Sequence, residues 1–430
     1  MSRRGRRRWR RRVVRAALLL ALIYAAGGYL TSRVGPRPAT VLQPDDPTAP
    51  AASTGLVIRV ADPAAAPLTG WLASGVEVRG ALSVHSGRSH DAEGTFDEIG
   101  SAAERAGLDF VMLGDHPGAW LFEPGALDPV HNHGVLLVPG QEMVIPGSGR
   151  VLAVGLEADT VVERWEGSVR DLTDRIEAVD GYVSVVHARS PRGRERWQAG
   201  LDAPGIDAWE TLDVSEIARI RLADRWAGYH IGSFLFGLVT GTADGPVLRL
   251  NREGTAAPGL LAYDSARAGE SLTLVAGLNH HPKARIAGRL IPPYTPFFRT
   301  FVNHVVLDRP LSDDPREARR ELARGLRDGQ VFVSLGDAPK AAGFRFGRLD
   351  HETLVVRLPP EATGRYLVRL LRNGRDVGWV PAEGGSALTV RVPGPGIYRV
   401  EVARAGVPLG PWRYGLRPWI LSSAVDMDAA

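Results

Sequence analysis

Val76-Glu77-Val78-Arg79-Gly80-Ala81-Leu82-Ser83-Val84-His85 alternates apolar and polar residues as a half-buried strand does, and it ends on an imidazole. Beyond it, Thr95-Phe96-Asp97-Glu98 has the form of a capping box, opening a helix that Gly107 stops. Downstream residues repeat this strand-then-helix unit. The apolar runs at 110–113, 135–138 and 151–154 are each short enough to be a buried strand. Ser168 with Asp171 marks a second helix start, Gly181 its exit, and 183–186 another strand. Residues 206–209 and 235–240 supply two more strands, separated by a helical stretch at 216–229, and 316–329 reads as a closing helix. About seven strands alternating with helices predict an α/β fold, a (β/α)7 barrel in preference to an open sheet.

After Phe344 the chain changes to short alternating strands with tight turns. Residues 366–372, the Asn373-Gly374 turn and 377–380 predict a hairpin; 388–392 and 397–402 add strands. Residues 340–422 therefore read as a small C-terminal β-sandwich, with 423–430 a tail.

The opposite end is basic. Nine arginines fall between Arg3 and Arg15, and without them 43 basic residues face 48 acidic ones. The remainder thus lacks the bias of a nucleic-acid binder, and no nucleic-acid partner is expected. The basic run leads into residues 13–30, 18 residues interrupted only by Arg15 and just long enough to span a bilayer. The flanking arginines predict a cytoplasmic N-terminus, with everything after Arg33 exported. The alternative is a signal peptide cleaved near Ala25-Ala26-Gly27, which also exports the body. Residues 1–33 thus form the basic N-terminus and anchor, a transmembrane helix in the first reading. Residues 34–56 form a Pro/Ala-rich linker, and 57–339 the main domain. With no cysteine in the chain, any metal must be held by His, Asp and Glu.

In the barrel reading such residues stand at strand ends: His85, Asp115 with His116, Glu142, His187 and Asp244. The C-terminal ends of barrel strands converge on one mouth, so these side chains become neighbours. Imidazoles with carboxylates suit Zn, Mn or Fe. His131 and His133 form a less favoured pair in a Gly/Pro-rich loop, His90 reads as a surface residue, and His280, His281 and His304, in a long irregular segment without clear ligand spacing, read as structural.

The same residues carry a resemblance. Gly80 to Ser86, Ser89-His90-Asp91, Ala106 to Val111, Gly114-Asp115-His116, Pro139-Gly140-Gln141-Glu142, His187 and Gly241-Thr242-Ala243-Asp244 occur in that order. Together they resemble the PHP (polymerase and histidinol phosphatase) family, nearest to its extracytoplasmic carbaryl-hydrolase-like branch. That resemblance implies a distorted TIM-like barrel and a metal centre. Its ligands would be His85, Asp91, His116, Glu142, His187 and Asp244, with His116 and His187 aiding proton transfer. The family's first H-x-H histidine is Ser83 here, 146–150 lacks a histidine, and the closing D-x-H reads Asp244-Gly245-Pro246. Six side chains supply at most one or two divalent ions, or none. Two functions are compatible with this set. One is a membrane-anchored, metal-dependent hydrolase of a phosphoester or related ester, with a small or anionic substrate in the barrel mouth. The other is a non-catalytic binding or scaffold protein of the cell envelope.

Overall fold

The computed structural model describes residues 57–61, 75–156, 165–188, 190, 192–193, 195–200, 203–217, 232, 263, 272–286, 288–336, 338–404, 408–409, 412–413 and 417–427. The anchor, the linker, most of the 216–229 helix, the 235–240 strand and Asp244 lie outside the described residues. No helix among the described residues is long and apolar enough to cross a membrane.

The strands of the main domain are β1 (Val57–Ala61), β2 (Val76–Val84), β3 (Phe110–Leu113), β4 (Val130–Asn132), β5 (Val135–Val138), β6 (Gly140–Ile145), β7 (Gly149–Val154), β8 (Tyr182–Val186), β9 (Ala208–Asp213) and β10 (Thr273–His280). They continue through β11 (Ala284–Ile286), β12 (Arg289–Ile291), β13 (Phe301–Leu307) and β14 (Val331–Leu335). Four helices matter to the packing: α1 (Phe96–Ala106), α2 (Val169–Glu177), α3 (Tyr294–Phe298) and α4 (Pro315–Arg327). The expected capping box forms at Thr95, and the helix start expected at Ser168 is a capping box too. Thr95 and Glu98 close the start of α1, Ser168 and Asp171 that of α2, and Gly107 ends α1 in the left-handed conformation.

The order β5-β3-β2-β10-β9-β8 is parallel throughout, so all six C-terminal ends face the same way. From β8 the sheet continues antiparallel through β7 to β6, which brings β6 back into the common direction. A bridge between Asp115 and Gln141, with the Glu142 N–H donating to the Asp115 carbonyl at 3.1 Å, then joins the end of β3 to β6. The sheet curls until its two flanks meet at the strand ends.

This corrects the expected repeat of β/α units. Residues 146–148, which link β6 to β7, turn back tightly and leave no room for the crossover that parallel neighbours need. Among the described residues the result is a large mixed sheet, strand-rich and α/β, in place of a (β/α)7 barrel closed by ladders. The segment carrying His280, His281 and His304 is also regular: β10 is buried along its whole length beside β9 and β2, and β13 pairs with β2 and β14.

The remaining strands are β15 (Arg345–Arg348), β16 (Thr353–Arg357), β17 (Arg365–Arg372), β18 (Arg375–Glu383), β19 (Ala387–Arg391), β20 (Ile397–Arg404), β21 (Pro408–Leu409), β22 (Trp412–Arg413), β23 (Arg417–Ser422) and β24 (Val425–Asp426). The Asn373-Gly374 turn joins β17 to β18 with positive φ at both residues, as a tight hairpin requires. Phe346, Val356, Val368, Leu388, Tyr398 and Trp419 belong to one apolar core shared by the sheets β1-β19-β16-β15 and β18-β17-β20-β23. Pairing of β23 with β14 makes the second of these continuous with the main sheet. β1, which the sequence boundary groups with the main domain, pairs with β19 instead.

Candidate metal centre

The common strand direction delivers one polar residue after another to the same end of the sheet. His85 follows β2, Asp115 and His116 follow β3, His187 follows β8, Asp213 ends β9 and His281 follows β10, with Glu142 projecting from β6. Between them lies a cleft of about 410 Å³ whose walls include Asp91, His116, Glu142, His187 and His281. Three residues lining or flanking it, Ser83, His187 and Asn279, hold φ of 56°, 54° and 44°. Non-glycine residues enter that region at a cost, which surrounding structure sustains mostly at functional sites. Irregular register beside Ser83 and Asn279 shows how β2 and β10 re-aim their last side chains.

His85, Asp91, His116 and His281 form a first group, each offering a ligand atom within 4.8 Å of the others'. The hydrogen bonds around it fix where two of its protons reside. Ser89 Oγ accepts from the His116 N–H at 2.9 Å and lies 2.9 Å from Asp115 Oδ1, to which it donates its only proton. His85 Nδ1, 3.1 Å from the same oxygen, must therefore be the donor. The other nitrogen, Nε2, is turned inward, buried without a hydrogen-bond partner and 3.4 Å from Glu142 Oε2. The same reasoning applies to His281. Asn279 Nδ2 donates to Ser215 Oγ at 2.8 Å, so its Oδ1 accepts from His281 Nε2 at 2.6 Å. His281 Nδ1 then faces Asp91 Oδ2 at 3.1 Å, acceptor to acceptor. Asp91 Oδ1 is likewise buried without a hydrogen bond. Acceptors turned on one another in a buried site require a positive charge between them. This donor set fits a divalent cation, and the outer partners Ser89 and Asn279 hold the imidazoles in the ligating tautomer.

His187, Glu210 and Asp213 form a second group. His187 Nδ1 lies 2.9 Å from Asp213 Oδ2, and its other nitrogen 3.5 Å from Glu142 Oε1. Burial opposes a charged His187, but Glu142 and Asp213 raise its pKa well above the usual range. Glu210 is pushed well up by burial and by Asp213, and its Oε2 accepts from Ser83 Oγ at 2.9 Å. Gly277 makes room for that carboxyl, since a Cβ there would collide with it. Burial would also raise Glu142, yet His187 and His85 hold it well below the ordinary carboxylate range. The Arg150 guanidinium is bonded to Glu142 Oε1. Burial drops His116 to about 4, so its ring is neutral near pH 7.

Of the residues expected from sequence, His85, Asp91, His116, Glu142 and His187 come together; Asp244 lies outside the described residues. His90 lines the cleft, its ring 5.0 Å from that of His116. His133 pairs on the surface with Asp97 and Glu104, apart from the cleft. His281, expected to be structural, belongs to the first group, whereas His280 stacks on Phe297 and His304 is bonded between Glu77 and Ser334. Glu210, Asp213 and Asn279 were not anticipated. A strand ending at Trp209 hides Glu210 and Asp213, and an irregular 280s segment hides the spacing by which Asn279 and His281, two apart on a strand end, face one side.

No family model and no curated protein matches the chain. Solved structures do, among them endonuclease Q in complex with a 27-mer duplex bearing an abasic lesion at its active site (15% identity, 58% of this chain and 57% of that one, TM-score 0.32). Another is PsfC from Pseudomonas syringae PB-5123 (11%, 59% and 98%, TM-score 0.34). A third is the lesion-specific endonuclease PfuEndoQ from Pyrococcus furiosus (14%, 63% and 62%, TM-score 0.36). The chain thus spans about three-fifths of the length of the two endonuclease Q structures. Likeness at this level assigns neither fold nor activity.

Proposed function

We propose that this chain is a PHP-like, metal-dependent hydrolase of a phosphoester or related ester, tethered by its N-terminal segment with its main domains outside the cytoplasm. The observation that carries the catalytic reading is His85 Nε2 turned inward, buried 3.4 Å from Glu142 Oε2 without a hydrogen bond. Asp91, His116, His281 and His85 would hold the ion, with Glu142 beside them. When bound, a divalent cation supplies Lewis acidity and lowers the pKa of water. Support for the family reading comes from the ordered motifs and from Asn279-His280-His281, which at the end of β10 offers the closing pattern that Asp244-Gly245-Pro246 lacks.

The residues of the chain then divide the work. His116, its ring neutral on the cleft wall, would offer its one free lone pair to the ion. His187, held protonated by Glu142 and Asp213, donates to the departing oxygen. Arg192 and Lys283 at the rim favour an anionic substrate. Full-length protein in detergent, loaded with Zn or Mn, should slowly hydrolyse aryl phosphoesters or aryl esters, and His116→Ala should lose most of that rate. Equal rates in wild type and His116→Ala would overturn the assignment.

A further inference from the structure

Two ligand groups share this cleft, and the residue between them is already engaged. Glu142 faces His85 of the first group through Oε2 and His187 of the second through Oε1. A carboxylate so placed is built to bridge two cations. Oε1, however, is bonded to the guanidinium of Arg150, which reaches it from β7, the strand paired with β6. Arg150 is only partly exposed, so its charge is poorly screened where it meets the buried Glu142.

We infer that Arg150 is a built-in cation occupying the charge position of a second metal ion, and that it confines metal binding to the His85–Asp91–His116–His281 group. The inference rests on the metal-dependent reading above and adds to it a determinant of ion number. A guanidinium is permanently charged and bonds the same carboxylate oxygen that an ion at His187 would need. Close approach of a divalent ion to that guanidinium costs Coulomb energy in a buried site, so the two exclude each other. His187, Glu210 and Asp213 would then keep their present partners, His187 on Asp213 and Glu210 on Ser83.

The test is metal stoichiometry and affinity, measured by calorimetry with Zn and Mn and by elemental analysis after dialysis, on full-length wild type, Arg150→Met and Arg150→Lys. Arg150→Met should bind one ion more per chain than wild type, or bind at least about tenfold more tightly at the second group, as expected when a buried like charge is removed. Millimolar guanidinium should compete that extra ion away. Arg150→Lys keeps the charge and should match wild type, which serves should Arg150→Met fail to fold; extra metal in Arg150→Lys would overturn the inference. Wild type and Arg150→Met binding the same number with the same affinity would also overturn it, while leaving the hydrolase reading intact. Absence of metal from every variant would remove both.

Discussion

Two groups of imidazoles and carboxylates sit a few ångströms apart in one cleft, and they settle their charge in opposite ways. In the second, protons do it: His187 is held charged between Glu142 and Asp213, and Glu210 is held neutral with Ser83 on its oxygen. In the first, Ser89 and Asn279 bond the outward nitrogens of His85 and His281 and leave the inward ones, beside Glu142 and Asp91, without a hydrogen bond. A third cluster shows the resolved alternative. Buried His304 bonds Glu77 through one nitrogen and Ser334 through the other, and Glu77 is completed by Arg345 and the Gly343 N–H. Residue types alone do not separate these clusters. The difference lies in whether every buried lone pair has its hydrogen.

The strongest way to break this contrast is Glu142→Ala, which should abolish metal binding by removing the carboxylate beside His85; calorimetry showing wild-type affinity would end the distinction. Next comes Ser89→Ala. It frees the tautomer of His85 without removing any proposed ligand, and should weaken metal binding roughly 10–100-fold. His304→Leu is the reciprocal probe. It should cost about 1–3 kcal/mol in denaturant unfolding, because Glu77 and Ser334 lose a buried partner, and should leave metal affinity unchanged.

The smallest effect sharpens the proton-settled case. Burial pushes the carboxyl of Asp207 up to about 7 while it accepts from the Val183 N–H. Its folded pKa exceeds its unfolded one, so the native state holds the extra proton and the stability it contributes falls as pH rises from about 4 to 7. Asp207→Asn keeps an acceptor for Val183 and carries no charge. Its urea midpoint should therefore gain on wild type across that interval and hold the gain at pH 8; a gain confined to acid pH would reverse the sign.

The local features most legible in the sequence were those with short-range chemistry: the capping box at Thr95, the helix start at Ser168, the Gly107 stop and the Asn373-Gly374 turn all form as expected. His85, Asp91, His116, Glu142 and His187 could be gathered because each follows or lies in a recognisable strand or motif. The antiparallel β6-β7-β8 meander was not legible, since an apolar run of four or five residues says nothing about the direction of its neighbour. Nor was His281. Without β10, a strand buried along its length and so lacking alternation, the Asn279-x-His281 spacing has no face to define. The bond of Arg150 to Glu142 depends on cross-strand register, which only the sheet reveals.

The most direct test is to strip the full-length protein of metal in detergent and titrate it with Zn and Mn, beside the His85→Ala/His281→Ala double variant. Wild type should take up one tightly held ion per chain and the double variant should lose it. Failure of wild type to bind, or identical isotherms for the two proteins, would contradict the assignment of the inward-facing lone pairs to a metal.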